Sequence, residues 1–148
     1  MFEKRFRITL LFNANKVYDR QVVEGVGEYL QASQCDWDIF IEEDFRCRID
    51  NIKDWLGDGV IAEFDDGAIE QLLHNVRVPI VGVGGSYHRD EDYPPVHYIA
   101  TDNQALVEAA FSHLKEKGIN RFAFYGLPSE GGKRWAQERE HAFRQRVA

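Results

Sequence analysis

Ile99-Ala100-Thr101-Asp102-Asn103, continued by a helical run into His113-Leu114-Lys115-Glu116-Lys117-Gly118-Ile119-Asn120-Arg121-Phe122-Ala123-Phe124-Tyr125-Gly126, decides the architecture. It reads as a strand, an acidic cap, an amphipathic helix, a tight turn and a second strand. The Asp102 side chain can accept from the free amides of a first helical turn. Leu106, Ala109, Ala110, His113 and Leu114 follow the spacing of a core-facing stripe, which predicts His113 as a core or boundary residue. Lys115 and Lys117 favour the negative end of the helix dipole, and Gly118 supplies a left-handed stop. A strand is expected over 122–125, then a loop over 126–132 and a helix over 133–147.

Outward from this segment, apolar runs bounded by turn residues alternate with helical patterns, the rhythm of βαβ units and a mostly parallel sheet. Strands are expected over 6–12, 37–41, 59–64, 80–83 and 96–100. One helix is expected from about Asp19, with that carboxylate as its cap and Val22, Val26, Tyr29 and Leu30 on its inner face. A weaker one from about Asp50 carries Ile52, Trp55 and Leu56 and is broken over 57–59. A third follows the turn Asp65-Asp66-Gly67 and carries Ile69, Leu72 and Leu73. Residues 86–95, rich in charge and with two prolines, are expected as a solvated loop.

With 148 residues and a net charge of −7, the chain can form an ordinary core but has no clustered Lys and Arg with which to grip a phosphate backbone. DNA contact is therefore expected only through a region outside this segment. Cys35 and Cys47 are too few for a disulfide framework and lack zinc-site spacing, so they are expected as ordinary buried or half-buried thiols. The apolar run after Met1-Phe2-Glu3-Lys4-Arg5 is too short for a signal peptide or membrane span, which points to the cytoplasm.

In open parallel sheets, ligands bind beyond the carboxyl ends of strands. The loop 13–19 stands at such an end: Asn13, Asn15 and Asp19 offer donors and acceptors, and Tyr18 a ring and a hydroxyl. Alternatively the asparagines only shape a turn and Asp19 only caps a helix. Glu63, with Phe64 and Asp65, follows the third strand; its carboxylate could accept from a pair of hydroxyls or serve only solubility and capping. Gly82-Val83-Gly84-Gly85-Ser86 lacks the Lys of a phosphate loop and leads into no helical stripe, so a tight turn at a cleft rim is the simpler reading. Trp135 offers a platform for a sugar ring, and Arg139 a planar fork for hydroxyls or a carboxylate. On a plain surface helix Arg139 would instead pair with Glu138 or Glu140. The histidines show no metal spacing and a nucleophile elbow is absent, so neither catalytic residues, a metal nor a cofactor is indicated.

At Asp102-Asn103, Gly118 to Gly126, Arg139-x-x-Ala142-Phe143, Asp58-Gly59-Val60-Ile61 and Val78-Pro79-Ile80-Val81, the chain resembles the ligand-binding domains of the lactose and galactose repressor family and the ribose-type binding proteins. The resemblance implies a periplasmic-binding-protein-like α/β fold, a parallel sheet flanked by helices. The first lobe (1–100) would be complete, and the second (101–148, crossover included) truncated, with the partners of the last strand and helix missing. More closely, it resembles the bacterial activators of xylose utilisation, which implies D-xylose as the small-molecule sugar, a homodimer, and a helix-turn-helix DNA-binding domain downstream. Carried onto this sequence, the family's ligand contacts fall in the 13–19 loop, at Asp102, and at the arginine of its Arg-x-x-Gly-Phe motif, here Arg139. Three features depart from the pattern, one of them a slightly short helix after Asp102. Ala142 replaces the usual glycine, and Gly84-Gly85 replaces the Asp-Arg pair that ribose-type proteins place after the fourth strand. The competing expectation is a flavodoxin-like enzyme domain that binds a nucleotide or phosphorylated substrate at 82–86; a dimerisation module without ligand is a third.

Overall fold

The computed structural model describes residues 5–13, 15–42, 52–128 and 133–148. Ala14, Cys47, the expected helix start at Asp50 and residues 129–132 of the last loop lie outside the described residues. The chain forms two compact units, Met1–Val83 and Gly84–Ala148.

In the first unit, β1 (Phe6–Leu11), β2 (Trp37–Glu42), β3 (Gly59–Glu63) and the start of β4 (Ile80–Gly85) alternate with α1 (Val17–Ser33), the short α2 (Ile52–Trp55) and α3 (Gly67–Leu73). All three pairings are parallel, with β1 between β2 and β3 and β4 outside β3. Side chains alternate faces along a strand, and both faces of β1 become buried toward its end. Leu10, Phe12 and Val83 centre one cluster, with Ile8, Ile39, Ile61 and Val22, Val23 and Val26 of α1 packed on it. Burying each such large side chain contributes about 1.5–3 kcal/mol. On the opposite face Thr9 is fully buried, and its hydroxyl donates to Leu56 O at 2.7 Å. Ile69 and Leu73 of α3 are also buried, and Asp66 caps that helix by accepting from Ala68 N at 3.0 Å.

The N-terminal end of β1 is held by the turn that breaks α2. Gly57 takes φ +75°, and a Cβ there would stand 2.8 Å from Arg7 O. Asp58 then accepts from Arg7 N (2.9 Å) and donates its own N–H to Arg7 O (2.8 Å). Along the β1–β2 edge, Arg5 pairs with Asp36 at 3.0 Å and Arg7 with Asp38 at 3.5 Å.

Two expectations for this unit change. Helix α1 begins at Val17, two residues before Asp19, and Lys16 is its N-cap. Asp19 therefore lies inside the first turn, where its carboxylate accepts from Asn13 N rather than from its own helix. Tyr29 is exposed, beside Trp37 at a ring distance of 6.5 Å, and Val23 takes a place on the inner face instead. Cys35 is a half-buried free thiol.

The second unit opens with Gly84 and Gly85, the end of β4, whose neighbour in the sheet is β5 (His97–Thr101). Between them residues 86–96 include one 3₁₀ turn, Asp90–Asp92, and Tyr87, Tyr93 and Tyr98 cluster edge to face or tilted at 4.8–5.8 Å. Asp102 caps α4 (Asn103–Glu116) as expected, accepting from Ala105 N at 2.9 Å. Gly118 ends that region at φ +81°. α4 packs on α5 (Arg134–Val147).

The α4 stripe is corrected. Asn103, Val107 and Phe111 are the buried positions, whereas Leu106, Ala109, Ala110, His113 and Leu114 are exposed. Apolar residues surround much of this helix, so spacing alone fits two faces; the one carrying Phe111 turns inward. The strand over 122–125 is not formed either. Phe122 and Phe124 alternate inward as in a strand and meet Phe111 and Phe143 at 4.5 and 5.4 Å. An extended segment becomes a strand only through a hydrogen-bonded neighbour, and none is present among the described residues. No helix among those residues is long and apolar enough to cross a membrane.

Candidate functional site

The register Leu11↔Ala62 brings β1 and β3 to the same sheet edge, so Asn13 and Glu63 leave it side by side. Glu63 is 4 % exposed and Asp19 fully buried. Asp19 Oδ2 accepts from Asn13 N at 2.8 Å, while its Oδ1 is buried with no hydrogen-bond partner among the described residues. Lys16, two-fifths exposed, reaches Glu63 Oε1 with its ammonium at 2.5 Å. Burial pushes the Glu63 carboxyl above its ordinary value of 4.5, and the nearby Asp19 carboxylate adds to that; the Lys16 hydrogen bond pulls against it. Tyr18 is half exposed on the same first turn of α1. Among the described residues, two buried carboxylates and one ammonium leave acceptor capacity unfilled, the chemistry that takes hydroxyl donors.

The second unit holds the other candidates. Arg139 Nε donates to Asn103 Oδ1 at 2.9 Å, and its guanidinium stands 4.7 Å from the centre of the Trp135 ring. Its hydrogen bond goes to Asn103 rather than to Glu138 or Glu140; the nearby pairing to Glu140 is made by Arg144. Asn103 is fully buried, and its side-chain amide lies 3.4 Å from Ser86 Oγ. Gly85 makes this close approach possible, since an added Cβ would meet Trp135 Cβ at 3.0 Å and Asn103 Nδ2 at 3.1 Å. Gly85, within the glycine run over 82–86, thus serves close packing here. Arg134 donates to Gly85 O (3.3 Å) and Tyr98 Oη (3.1 Å) and lies 3.7 Å from the Tyr87 ring centre. Ser86, Tyr87, His88, Tyr93, Asp102 and Glu138 line a cavity of about 380 Å³, to which Trp135 and Arg139 do not contribute.

The seven candidates therefore fall into two groups. Asn13, Asp19 and Glu63 meet in the first unit, with Tyr18 beside them. Trp135 and Arg139 stack in the second, where Arg139 is held by Asn103, the residue after the Asp102 cap. Sequence reading missed Lys16, Arg134 and the anchoring role of Asn103. Lys16 had one signal, a lone cation in a polar loop just ahead of a helix. Asn103 had another, a polar residue in register with Val107 and Phe111. No cluster of three or more His, Cys, Asp or Glu side chains suited to a metal exists among the described residues.

A solved LacI transcriptional regulator from Lactobacillus brevis aligns over 94 % of this chain and 53 % of its own, with a TM-score of 0.64 at 16 % identity. This places the fold in the periplasmic-binding-protein-like class shared by such regulators and sugar-transport solute-binding proteins. Residues 7–104 match the family described as the XylR N-terminal domain, and the chain belongs to that family. It is 82 % identical over all 148 residues to the xylose operon regulatory protein of Escherichia coli K12, and spans 38 % of that protein's length. The solved xylose-binding transcription activator xylR superposes with a TM-score of 0.90 at 76 % identity, over 99 % of this chain and 36 % of that one.

Proposed function

We propose that this chain is the sugar-sensing part of a transcription activator of xylose utilisation, and not an enzyme. D-xylose is bound between two lobes. Residues 1–100 belong to the first lobe, which supplies Asn13, Tyr18, Asp19 and Glu63. Residues 101–148 form the crossover and the start of the second, which supplies Asp102, Trp135 and Arg139. A ligand moves such an equilibrium only by favouring one state, so closure draws on contacts that form together from both lobes. DNA is contacted by a helix-turn-helix region elsewhere in the protein, which works as a cytoplasmic homodimer.

The observation that carries this reading is 82 % identity to a xylose operon regulator over every residue of the chain. The geometry supports it further: the buried, under-satisfied carboxylates suit sugar hydroxyls, and Arg139 on Trp135 joins a donor fork to a flat apolar face. Calorimetry on the full-length protein should show D-xylose binding that Arg139→Ala weakens at least tenfold, since hydrogen bonds to charged groups contribute about 1.5–3 kcal/mol. Equal affinity in the variant would remove Arg139 from the site. Binding of a nucleotide in place of any pentose would refute the sugar reading.

A further inference from the structure

We propose that Lys16 is the resting occupant of the Asp19–Glu63 carboxylate pair, a strap whose ammonium must leave when a polyhydroxyl ligand enters. This deepens the sugar-sensor reading and rests on it.

Asp19 is fully buried and Glu63 nearly so, and one cation, Lys16, engages Glu63. Buried carboxylates persist only when their oxygens are satisfied. Asp19 Oδ2 has Asn13 N and Oδ1 has no donor among the described residues, while the Asp19 and Glu63 carboxyls are close enough to hydrogen-bond to each other only when one of them is protonated. Among the described residues, the site therefore has more acceptors than donors. Neighbouring hydroxyls of a sugar are O–H donors at a spacing that can serve two adjacent carboxylates at once.

The Lys16 backbone is fixed, because its N–H donates to Asn13 O and its carbonyl accepts from Arg20 N, each at 3.1 Å. Its side chain is a flexible stem two-fifths open to solvent. The ammonium can swing into water without disturbing the loop, whereas Asp19 and Glu63 are held by burial. Ligand hydroxyls and the ammonium compete for the same Glu63 oxygens. Lys16 thereby sets the affinity of the site without belonging to the bound state.

The test is calorimetry of D-xylose with full-length wild-type protein, Lys16→Met and Lys16→Arg, with thermal unfolding of each as a check on folding. Removal of the strap destabilises the empty site and leaves the occupied one unchanged, so Lys16→Met should bind about fivefold more tightly, the upper range for a partly exposed ion pair. Lys16→Arg, which grips a carboxylate with two donors, should bind more weakly than wild type. A folded Lys16→Met with unchanged or weaker affinity overturns the proposal, because the ammonium would then be a ligand contact or a bystander. If Lys16→Met does not fold, Lys16→Arg decides: affinity equal to or above wild type overturns the strap. These results leave the sugar reading intact, whereas that reading fails, and the strap with it, when wild-type protein binds no pentose.

Discussion

Substituting Gly85 by alanine would probe the packing that holds the second candidate group together. The new Cβ would stand 3.0 Å from Trp135 Cβ, 3.1 Å from Asn103 Nδ2 and 3.3 Å from Trp135 Cα. Comfortable carbon contacts lie at about 3.5–4.0 Å, so the neighbours must retreat by about half an ångström. None of them is a free side-chain tip. Trp135 Cα is helix backbone, and Asn103 is fully buried with its amide beside Ser86 Oγ and its carbonyl oxygen on Arg139. Overpacking of this kind costs about 1–3 kcal/mol. The stiffer unfolded chain of an alanine variant returns about 0.4–1 kcal/mol. A net loss of about 1–2 kcal/mol should lower the urea midpoint while the slope of the transition stays the same. D-xylose affinity should fall in parallel, because the displaced helix carries both Trp135 and Arg139. A midpoint equal to or above wild type would show that Trp135 has room to spare and that Gly85 is not required by this contact.

Three further outcomes are expected. Asp102→Asn should keep the α4 cap and hence stability, because Asn caps as well as Asp, whereas Asp102→Ala should lose about 1 kcal/mol in chemical denaturation. If both variants bind D-xylose as wild type does, Asp102 is a cap and no more. For Glu63 the folded carboxyl titrates above 4.5, so the folded state holds a proton that the unfolded chain has already released. Stability should therefore fall as pH rises from about 4.5 through the folded value, and Glu63→Gln should flatten that part of the profile; an unchanged slope in a pH series of urea midpoints would clear Glu63. Ile69, fully buried on α3, should cost about 2–5 kcal/mol on truncation to alanine. A thermal midpoint unaffected by that change would mean the site collapses around the missing atoms.

The strands of the first unit were legible because each is a short apolar run bounded by turn residues, and their order follows from βαβ alternation. The caps at Asp66 and Asp102 and the left-handed Gly118 were legible for the same reason: each depends on residues only a few positions away. Phase and partnership were not. Leu106, Val107, Ala109, Ala110, Phe111 and Leu114 admit two inner faces for α4, and only packing against α5 and Phe122 selects the one with Phe111. Residues 122–125 carry strand alternation, but a ladder depends on a neighbour that spacing within the segment cannot supply. Within the candidate site, sequence identified Asn13, Asp19, Glu63, Trp135 and Arg139 as chemically apt. It could not show that Lys16 lies on Glu63, 47 residues away, or that Asn103 holds Arg139 across 36.

Arg5, just before β1, and Arg7 within it carry a consequence for how the chain assembles. Arg5 and Arg7 meet Asp36 and Asp38 in a register that also sets Phe6 beside Trp37. Each contact, open to water, adds little depth to the native well. A slip of one residue would nevertheless bring Arg7 level with Trp37 or Ile39 and turn every β2 side chain to the wrong side. The two charge pairs thus work as an alignment key, favouring the native pairing of the outermost strand over slipped ones.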